Sequence, residues 1–207
     1  MEWRNIILRI SVVVTTYNGK MHLEKQLLSL LQQERAPDEV LIFDDGSTDG
    51  TIELVQSFIR KNCLESWQFY VNAKRKGWKQ NFMEGLRKAA GDILFPCDQD
   101  DIWYPKKLAE MTAVMEQHPE IKLLACDYRV LYESGALKAT VYKKTPAETQ
   151  GLITRYGFTK HFFMNPYPGC TYAVRRDFFD AVKELWFDGS PHDEFLWLMA
   201  AVQDGAW

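Results

Sequence analysis

A short acidic stretch carries the residue types most able to do chemistry in this chain. The segment CDQDDIWYP places Asp98, Asp100 and Asp101 within four positions, directly behind the apolar run DILFP. Two like charges about 4 Å apart repel by about 1 kcal/mol in water and by about 4 kcal/mol at an effective dielectric of 20. The crowding therefore favours a bound cation, and hard carboxylate oxygens suit Mg²⁺ or Mn²⁺. As an alternative, Asp98 and Asp101 merely end a strand and cap a helix that begins near Pro105.

A second cluster lies in DDGSTDGT. Asp44 and Asp45 can accept hydrogen bonds from the imide of uracil or thymine, or from ribose hydroxyls. The segment also matches part of a calcium-binding EF-hand loop, but Gln56 stands where the bidentate Glu is needed, and the strand pattern EVLIF precedes it. A turn and helix-cap role for Ser47 or Thr48 is compatible with a binding role for the two carboxylates.

Two further candidates lie in the last third of the chain. The segment HDEFLW opens a predicted helix, and Asp193 near its start is stabilised as an anion by the helix dipole, which keeps it available as a base at neutral pH. An ordinary N-cap is the alternative for Asp193. Gly169 in PYPGCTYAVRR either lets a substrate approach the backbone or simply forms a turn.

The elements that must position these residues alternate along the chain. Apolar runs predict strands at ISVVV (10–14), EVLIF (39–43), WQFYV (67–71), GDILF (91–95) and KLLACDYRVL (122–131). Helical spacing of apolar residues predicts a helix after the first, second and fourth of these strands, and we expect a further helix around residues 79–89. This alternation predicts a mostly parallel sheet with helices on both faces, an α/β/α sandwich. Ligands bind beyond the carboxyl ends of such strands, so we expect TTYN, DDGSTDGT and DQDD to converge on one edge.

The chain is less regular from about residue 132. YESG indicates a hairpin, CTYAVR another strand, and FFDAVKEL and HDEFLWLMAAV two helices. The whole chain of 207 residues is 46% hydrophobic, which is enough for the core of a single domain.

Composition narrows the class of protein. A formal net charge of −3 creates no global field for a polyanion, so we expect no nucleic-acid partner. The four cysteines form no CxxC pair and lie in apolar surroundings, which favours buried, reduced thiols and a cytoplasmic location. Neither a signal peptide nor a membrane span is evident in the sequence, and we expect at most a peripheral contact with the inner face of a membrane.

The ordered set of motifs resembles glycosyltransferase family 2, inverting enzymes of the Rossmann-like GT-A fold. The match runs through VVVTTYNGK, FDDGSTDGT, AAGDILFPCDQDDIWYPKKL and PGCTYAVRR to HDEFLW, and so covers nearly the whole chain. The HD pair together with DQDDIW is similar to the subgroup described as rhamnosyltransferases. The resemblance implies one GT-A domain over residues 1–207, with a nucleotide-sugar-binding half (1–131) and an acceptor and catalytic half (132–207).

The resemblance also implies roles at the nucleotide. It assigns contacts with the base to Thr15, Tyr17 and Asp45, with Asp44 beside them.

The other roles concern the metal and the base. Asp100 is the expected direct metal ligand, and Asp98 lies nearer the ribose or a metal-bound water. Asp193 matches the catalytic base, and His192 replaces the usual Glu before it.

Together these roles imply transfer of a sugar from a UDP- or dTDP-sugar to a glycan or lipid-linked acceptor in cell-surface polysaccharide synthesis, with Mn²⁺ or Mg²⁺. Two alternatives stay open: a sugar-phosphate nucleotidylyltransferase, although TTYNGK lacks that class's glycine-rich loop, and a non-catalytic nucleotide-sugar or carbohydrate-binding module. Family members usually continue past the HD helix, so we expect this chain to be truncated at its C-terminus. Phe162, Phe163 and Tyr167 are candidates for an acceptor wall or a lipid-facing loop.

Overall fold

The computed structural model describes residues 7–132, 137–139, 152–156, 165 and 167–207. Strands and helices alternate over most of this range. In chain order they are β1 (Ile10–Thr16), α1 (Lys20–Leu31), β2 (Glu39–Asp44), α2 (Thr51–Lys61), β3 (Trp67–Val71), α3 (Trp78–Lys88), β4 (Ile93–Asp98), α4 (Lys107–Gln117), β5 (Leu123–Ala125), β6 (Arg129–Leu131), β7 (Leu137–Ala139), β8 (Tyr172–Arg175), α5 (Arg176–Val182) and α6 (His192–Val202).

The central sheet has six strands in the order β3-β2-β1-β4-β8-β5. β3, β2, β1 and β4 are parallel, whereas β8 runs antiparallel to both of its neighbours. The predicted, mostly parallel sheet is therefore confirmed.

Helices cover both faces of this sheet because its central strands are apolar on both sides. In β1, Val12 and Val14 belong to the core formed with α1, α2 and α4. Val13, which points the opposite way, belongs to the core formed with α3, α5 and α6. The result is the predicted α/β/α sandwich. None of the helices in the described ranges combines the length and the apolar character needed to cross a bilayer.

The prediction of one strand over residues 122–131 is wrong. The chain leaves the central sheet after Ala125, and β6 pairs instead with β7 in a separate antiparallel ribbon. Asp127 and Arg129 interrupt the apolar run at this point, and the residues of β6 are exposed. The ribbon fits the predicted hairpin, whose turn at residues 133–136 lies outside the described residues.

A short 3₁₀ turn at Gly169–Thr171 shapes the end of the sheet. β8 pairs with β4 only at Ile93 and Leu94. Farther along β4, Pro96 has no N–H to offer a neighbouring strand. The 3₁₀ turn, rather than a strand, therefore lies beside the carboxyl end of β4.

The expectation of buried thiols holds only in part. All four cysteines are free, but Cys63 is exposed and only Cys97 is fully buried. Cys63 lies just after α2 in a left-handed conformation, with φ at 51°, so the chain turns there at the surface. Cys126 and Cys170 are half-buried.

Candidate functional site

The sheet register brings the polar clusters to one edge. Thr15 in β1 lies opposite Asp98 in β4, and Thr16 lies opposite Asp44 in β2. Gln99 ties the loop after β4 to the loop after β1, because its side chain accepts a hydrogen bond from the Tyr17 N–H at 2.8 Å and donates one to the Tyr17 carbonyl at 3.3 Å. The expected convergence of TTYN, DDGSTDGT and DQDD is confirmed.

Asp44 organises the loop that follows β2. Its carboxylate is fully buried and accepts hydrogen bonds from the Thr16 hydroxyl at 2.7 Å, from the Gly46 N–H at 3.0 Å, and from the Ser47 N–H and hydroxyl at 2.7 and 2.6 Å. Through these bonds, Asp44 holds the loop after β2 in its conformation. Any contribution it makes to nucleotide binding therefore acts through the loop.

Asp45 holds the loop between β3 and α3. Its two oxygens accept hydrogen bonds from the Asn72 side chain at 3.0 Å and from the N–H groups of Lys76 and Gly77 at 2.7 and 2.8 Å. The Arg75 Nε lies 3.9 Å away, and the same guanidinium covers the Tyr17 ring, with its carbon 3.9 Å from the ring centroid. Sequence reasoning missed Arg75, although the basic run KRK marks this loop.

The EF-hand alternative is excluded by the local fold, because DDGSTDGT joins a strand of the parallel sheet to α2. The helix cap expected at Ser47 or Thr48 is wrong as well. α2 begins at Thr51 after Gly50, and Asp49 accepts hydrogen bonds from the Thr51 N–H and hydroxyl at 3.0 and 2.5 Å.

The acidic group at the end of β4 differs in detail from the sequence expectation. Among the described residues, one ligand atom each of Asp98, Asp101 and Cys170 lies within 4.8 Å of the others. Asp100 is exposed beside them. Asp101 does not cap α4, which begins at Lys107 without a side-chain cap. Cys170, brought in by the 3₁₀ turn, had no local sequence signal.

Burial and crowding shape the electrostatics of this group. Burial, followed by the charges of Asp101, Asp100 and Asp193, raises the pKa of Asp98 to about 7. Burial also raises the pKa of Asp101. Lys107 opposes both shifts; its ammonium lies 3.7 Å from the centroid of the Trp103 ring. Lys107 was missed in the sequence, where KK directly follows DQDDIWYP.

The same group fits a divalent cation. Two carboxylates and a thiol converge there, and the Oδ2 atom of Asp101 is buried without a hydrogen-bond partner. An unsatisfied buried carboxylate oxygen is costly, and a cation would satisfy it. Hard oxygen donors suit Mg²⁺ or Mn²⁺, and the exposed Asp100 adds negative charge beside the group.

Asp193 lies in the first turn of α6, close enough to the acidic group for its charge to raise the pKa of Asp98. It is not the N-cap, because that position is Pro191. Its Oδ1 accepts a hydrogen bond from the Glu194 N–H at 2.9 Å. The helix start therefore holds a half-buried carboxylate near the metal-binding candidates.

His192 packs behind Asp193 as a neutral ring. It is 3% exposed and stacks on Phe82, with ring centroids 4.1 Å apart, and Trp78 meets it edge-on at 5.8 Å. Burial lowers the pKa of His192 to about 4. Both ring nitrogens are buried without a hydrogen-bond partner.

Gly169 is explained by its contact with this helix start. A Cβ at Gly169 would lie 2.5 Å from the His192 Nε2 and 3.1 Å from the Asp193 Cβ. The group that approaches the glycine backbone is therefore α6. The turn that carries Cys170 toward Asp98 also supports Asp193.

Of the three aromatic candidates for an acceptor wall, Phe162 and Phe163 lie outside the described residues. Tyr167 is half-buried, with its ring centroid 6.0 Å from that of Trp197 and its hydroxyl 3.2 Å from that of Tyr156. Tyr167 thus packs against α6.

Comparison with known proteins identifies the family. The model of glycosyl transferase family 2 matches residues 11–181, a range that runs from the second residue of β1 through β8 and most of α5. The chain belongs to glycosyltransferase family 2. The match includes Asp45 and Asp98 and ends before α6.

Relatives with known or assigned activities support this placement. The chain is 24% identical over 209 residues to the dTDP-rhamnosyl transferase RfbG of Shigella flexneri, covering 94% of this chain and 67% of that protein. It is 28% identical over 155 residues to the poly(ribitol-phosphate) β-N-acetylglucosaminyltransferase TarS of Staphylococcus aureus, covering 74% of this chain and 26% of TarS.

Solved structures show the same fold. TarS residues 1–349 in complex with UDP-GlcNAc align with a TM-score of 0.72 at 21% identity, over 94% of this chain and 54% of that one. The mannosyltransferase PcManGT of Pyrobaculum calidifontis, in complex with GDP-Man and Mn²⁺, aligns with a TM-score of 0.63 at 22% identity, over 84% of this chain and 46% of that one. The fold is GT-A, and the chain spans about half the length of these solved relatives.

Proposed function

We propose that this chain is the donor-binding and catalytic part of a metal-dependent, inverting glycosyltransferase. The observation that carries the proposal is that Asp193, at the start of α6, packs against Gly169 in the same turn that brings Cys170 to Asp98 and Asp101. An inverting transfer needs one base on the acceptor side and charge neutralisation on the leaving-group side. This arrangement supplies a candidate for each.

The proposed reaction is a single in-line displacement. An acceptor hydroxyl attacks the anomeric carbon, the new carbon–oxygen bond forms as the bond to the diphosphate breaks, and the nucleoside diphosphate leaves with the electron pair. Asp193 takes the proton of the hydroxyl. Because inversion needs no covalent intermediate, no protein nucleophile is required.

Asp98 and Asp100 are the proposed metal ligands, and Asp101 lies beside Asp98 as a further donor. A divalent cation held there would neutralise charge on the departing diphosphate. Lys107 is fixed on the same side of the site, where its charge favours the ionised forms of Asp98 and Asp101.

Thr15, Tyr17 and Asp45 are the proposed contacts of the nucleotide base. Thr15 lies opposite Asp98 in the sheet, and Tyr17 offers a partly exposed ring for stacking. Asp45 is 3% exposed, and its oxygens already accept hydrogen bonds from the protein. We therefore propose that Asp45 acts mainly by shaping the wall of the base pocket, together with Asp44 behind it.

UDP- and dTDP-sugars are the proposed donors. RfbG is described as a dTDP-rhamnosyl transferase, and the solved TarS structures contain UDP or UDP-GlcNAc. The proposed acceptor is a hydroxyl of a glycan or lipid-linked oligosaccharide in cell-surface polysaccharide synthesis, met in the cytoplasm or at the inner face of the membrane. The poly(ribitol-phosphate) acceptor in the name of TarS supports a cell-surface polymer.

A calorimetric titration tests the donor class. UDP, dTDP, GDP and ADP are titrated into the protein with and without Mn²⁺, followed by the corresponding sugar nucleotides. We expect UDP or dTDP to bind, and to bind more tightly with Mn²⁺. If none of these nucleoside diphosphates binds, the proposal is wrong. Binding of a donor without turnover across a panel of acceptors would favour the binding module instead.

A further inference from the structure

One side chain covers both groups that are proposed to receive the nucleotide base. The Arg75 guanidinium lies over the Tyr17 ring, with its carbon 3.9 Å from the ring centroid, and its Nε lies 3.9 Å from a carboxylate oxygen of Asp45. A base stacked on this face of Tyr17 would occupy the volume that the guanidinium now fills. Base and guanidinium therefore compete for one surface.

We expect the base to displace the Arg75 guanidinium from the Tyr17 ring. The Arg75 side chain is 66% exposed, and a cation–π contact in water is weaker than the stacking of a nucleobase on an aromatic ring. Asp45 already accepts hydrogen bonds from Asn72, Lys76 and Gly77, so departure of Arg75 leaves its carboxylate satisfied. Displacement of Arg75 thus costs the protein little.

A displaced Arg75 remains next to the acidic edge of the sheet. Tyr17 is hydrogen-bonded in both directions to Gln99, which stands between Asp98 and Asp100 in the chain. The backbone of the residue that Arg75 covers is therefore bonded directly to the segment that carries the proposed metal ligands, beside which the diphosphate is expected. Lys107 is already engaged there, with the Trp103 ring and the Cys170 carbonyl.

We propose that Arg75 is a recognition residue for the diphosphate of the donor: the base displaces its guanidinium from Tyr17, and the guanidinium then pairs with the phosphate oxygens. This inference rests on the proposed function, because it requires a nucleoside diphosphate in this site. The planar guanidinium suits the task, since it can donate two parallel hydrogen bonds to one phosphate.

Two ligands test the two steps separately: displacement of the guanidinium by the base, and pairing of the guanidinium with the diphosphate. UDP carries both base and diphosphate, whereas uridine carries only the base; dTDP and thymidine replace them if the protein prefers thymine. Removing Arg75 removes a charged partner of the diphosphate and a competitor of the base. We expect Arg75→Gln to bind UDP about tenfold more weakly and to bind uridine as well as, or better than, the wild type.

The matched control is Lys74→Gln, which removes the same charge from the neighbouring exposed residue. Affinities for UDP come from calorimetry with Mn²⁺ present, and those for uridine from ligand-observed NMR, which detects weak binding. We expect Lys74→Gln to change the affinity for UDP less than about twofold. Arg75→Lys, which keeps the charge but loses the planar fork, should fall between Arg75→Gln and the wild type.

The binding results distinguish failure of the proposed function from failure of the inference about Arg75. If wild-type protein binds neither UDP nor dTDP, the proposed function fails first. If it binds UDP and Arg75→Gln binds equally well, the inference about Arg75 is wrong while the proposed function stands. Equal weakening of UDP and uridine would also overturn the inference, because Arg75 would then support the base rather than the diphosphate.

Discussion

Replacing Gly169 by alanine tests how the catalytic carboxylate is positioned. The new Cβ would lie 2.5 Å from the His192 Nε2 and 3.1 Å from the Asp193 Cβ, whereas ordinary contacts begin near 3.4 Å. The imidazole must therefore retreat by about 0.9 Å. It has little room to do so, because it stacks on Phe82 at 4.1 Å and meets Trp78 on its edge.

We expect the clash to displace the start of α6, and Asp193 with it. Overpacking a buried contact costs about 1–3 kcal/mol of the free energy of unfolding. A displacement of about 1 Å at a reacting group costs on the order of a hundredfold in rate. We therefore expect Gly169→Ala to turn over donor and acceptor about a hundredfold more slowly, with the affinity for the nucleoside diphosphate nearly unchanged.

The assay measures release of nucleoside diphosphate, with thermal unfolding and calorimetric binding measured on the same samples. Gly85→Ala is the matched control, because a Cβ there would press on Val13 and Phe43 in the core between α3 and the sheet. It should lose similar stability and keep its turnover at temperatures where it is folded. Wild-type turnover by folded Gly169→Ala would refute the reasoning, as would an equal loss of turnover in Gly85→Ala.

Three further predictions concern charge in the site. Because burial raises the pKa of Asp98 to about 7, the folded chain holds a proton that the unfolded chain releases, and this contribution to stability is lost as pH rises from about 4 to about 7. Asp98→Asn should remove this loss, so we expect the variant to melt at a higher temperature than the wild type above pH 7 with metal chelated. An equal or lower melting temperature of the variant would contradict this prediction. Because burial lowers the pKa of His192 to about 4, the free energy of unfolding should fall as pH drops from about 6.5 to about 4. Denaturant titrations of Asp98→Asn should show this fall without the opposite pH dependence that Asp98 contributes. A free energy of unfolding that does not change over this range would contradict the prediction. Asp100→Asn and Asp101→Asn, compared by Mn²⁺ titration, decide which neighbour of Asp98 holds the metal: a variant that lacks a ligand should need at least about tenfold more Mn²⁺, and wild-type Mn²⁺ dependence in both variants would contradict a ligand role for either.

Much of the fold was predictable because its signals are local. The apolar runs of β1, β2 and β4 and the helical spacing in α1, α2 and α4 appear within short windows, and parallel strands linked by helices allow few topologies. The convergence of Asp98 and Asp44 on one edge follows from this topology alone.

The rest depends on contacts between distant residues. The position of Cys170 beside Asp98 follows from the insertion of β8 between β4 and β5, which no short window encodes. The contact between the Arg75 guanidinium and the Tyr17 ring joins the loop after β3 to the loop after β1. The end of β5 at Ala125 was missed because the following residues keep a strand-like pattern while pairing elsewhere.

The central claim is that Asp193 is the base of a sugar transfer from a nucleotide donor. The most direct measurement compares Asp193→Asn with Glu194→Gln, its exposed neighbour in the same turn, for donor affinity and for turnover. We predict that both variants bind the nucleoside diphosphate with Mn²⁺ as the wild type does, and that only Asp193→Asn loses turnover, by about 10²- to 10⁴-fold. Turnover by Asp193→Asn at the wild-type rate would contradict the claim.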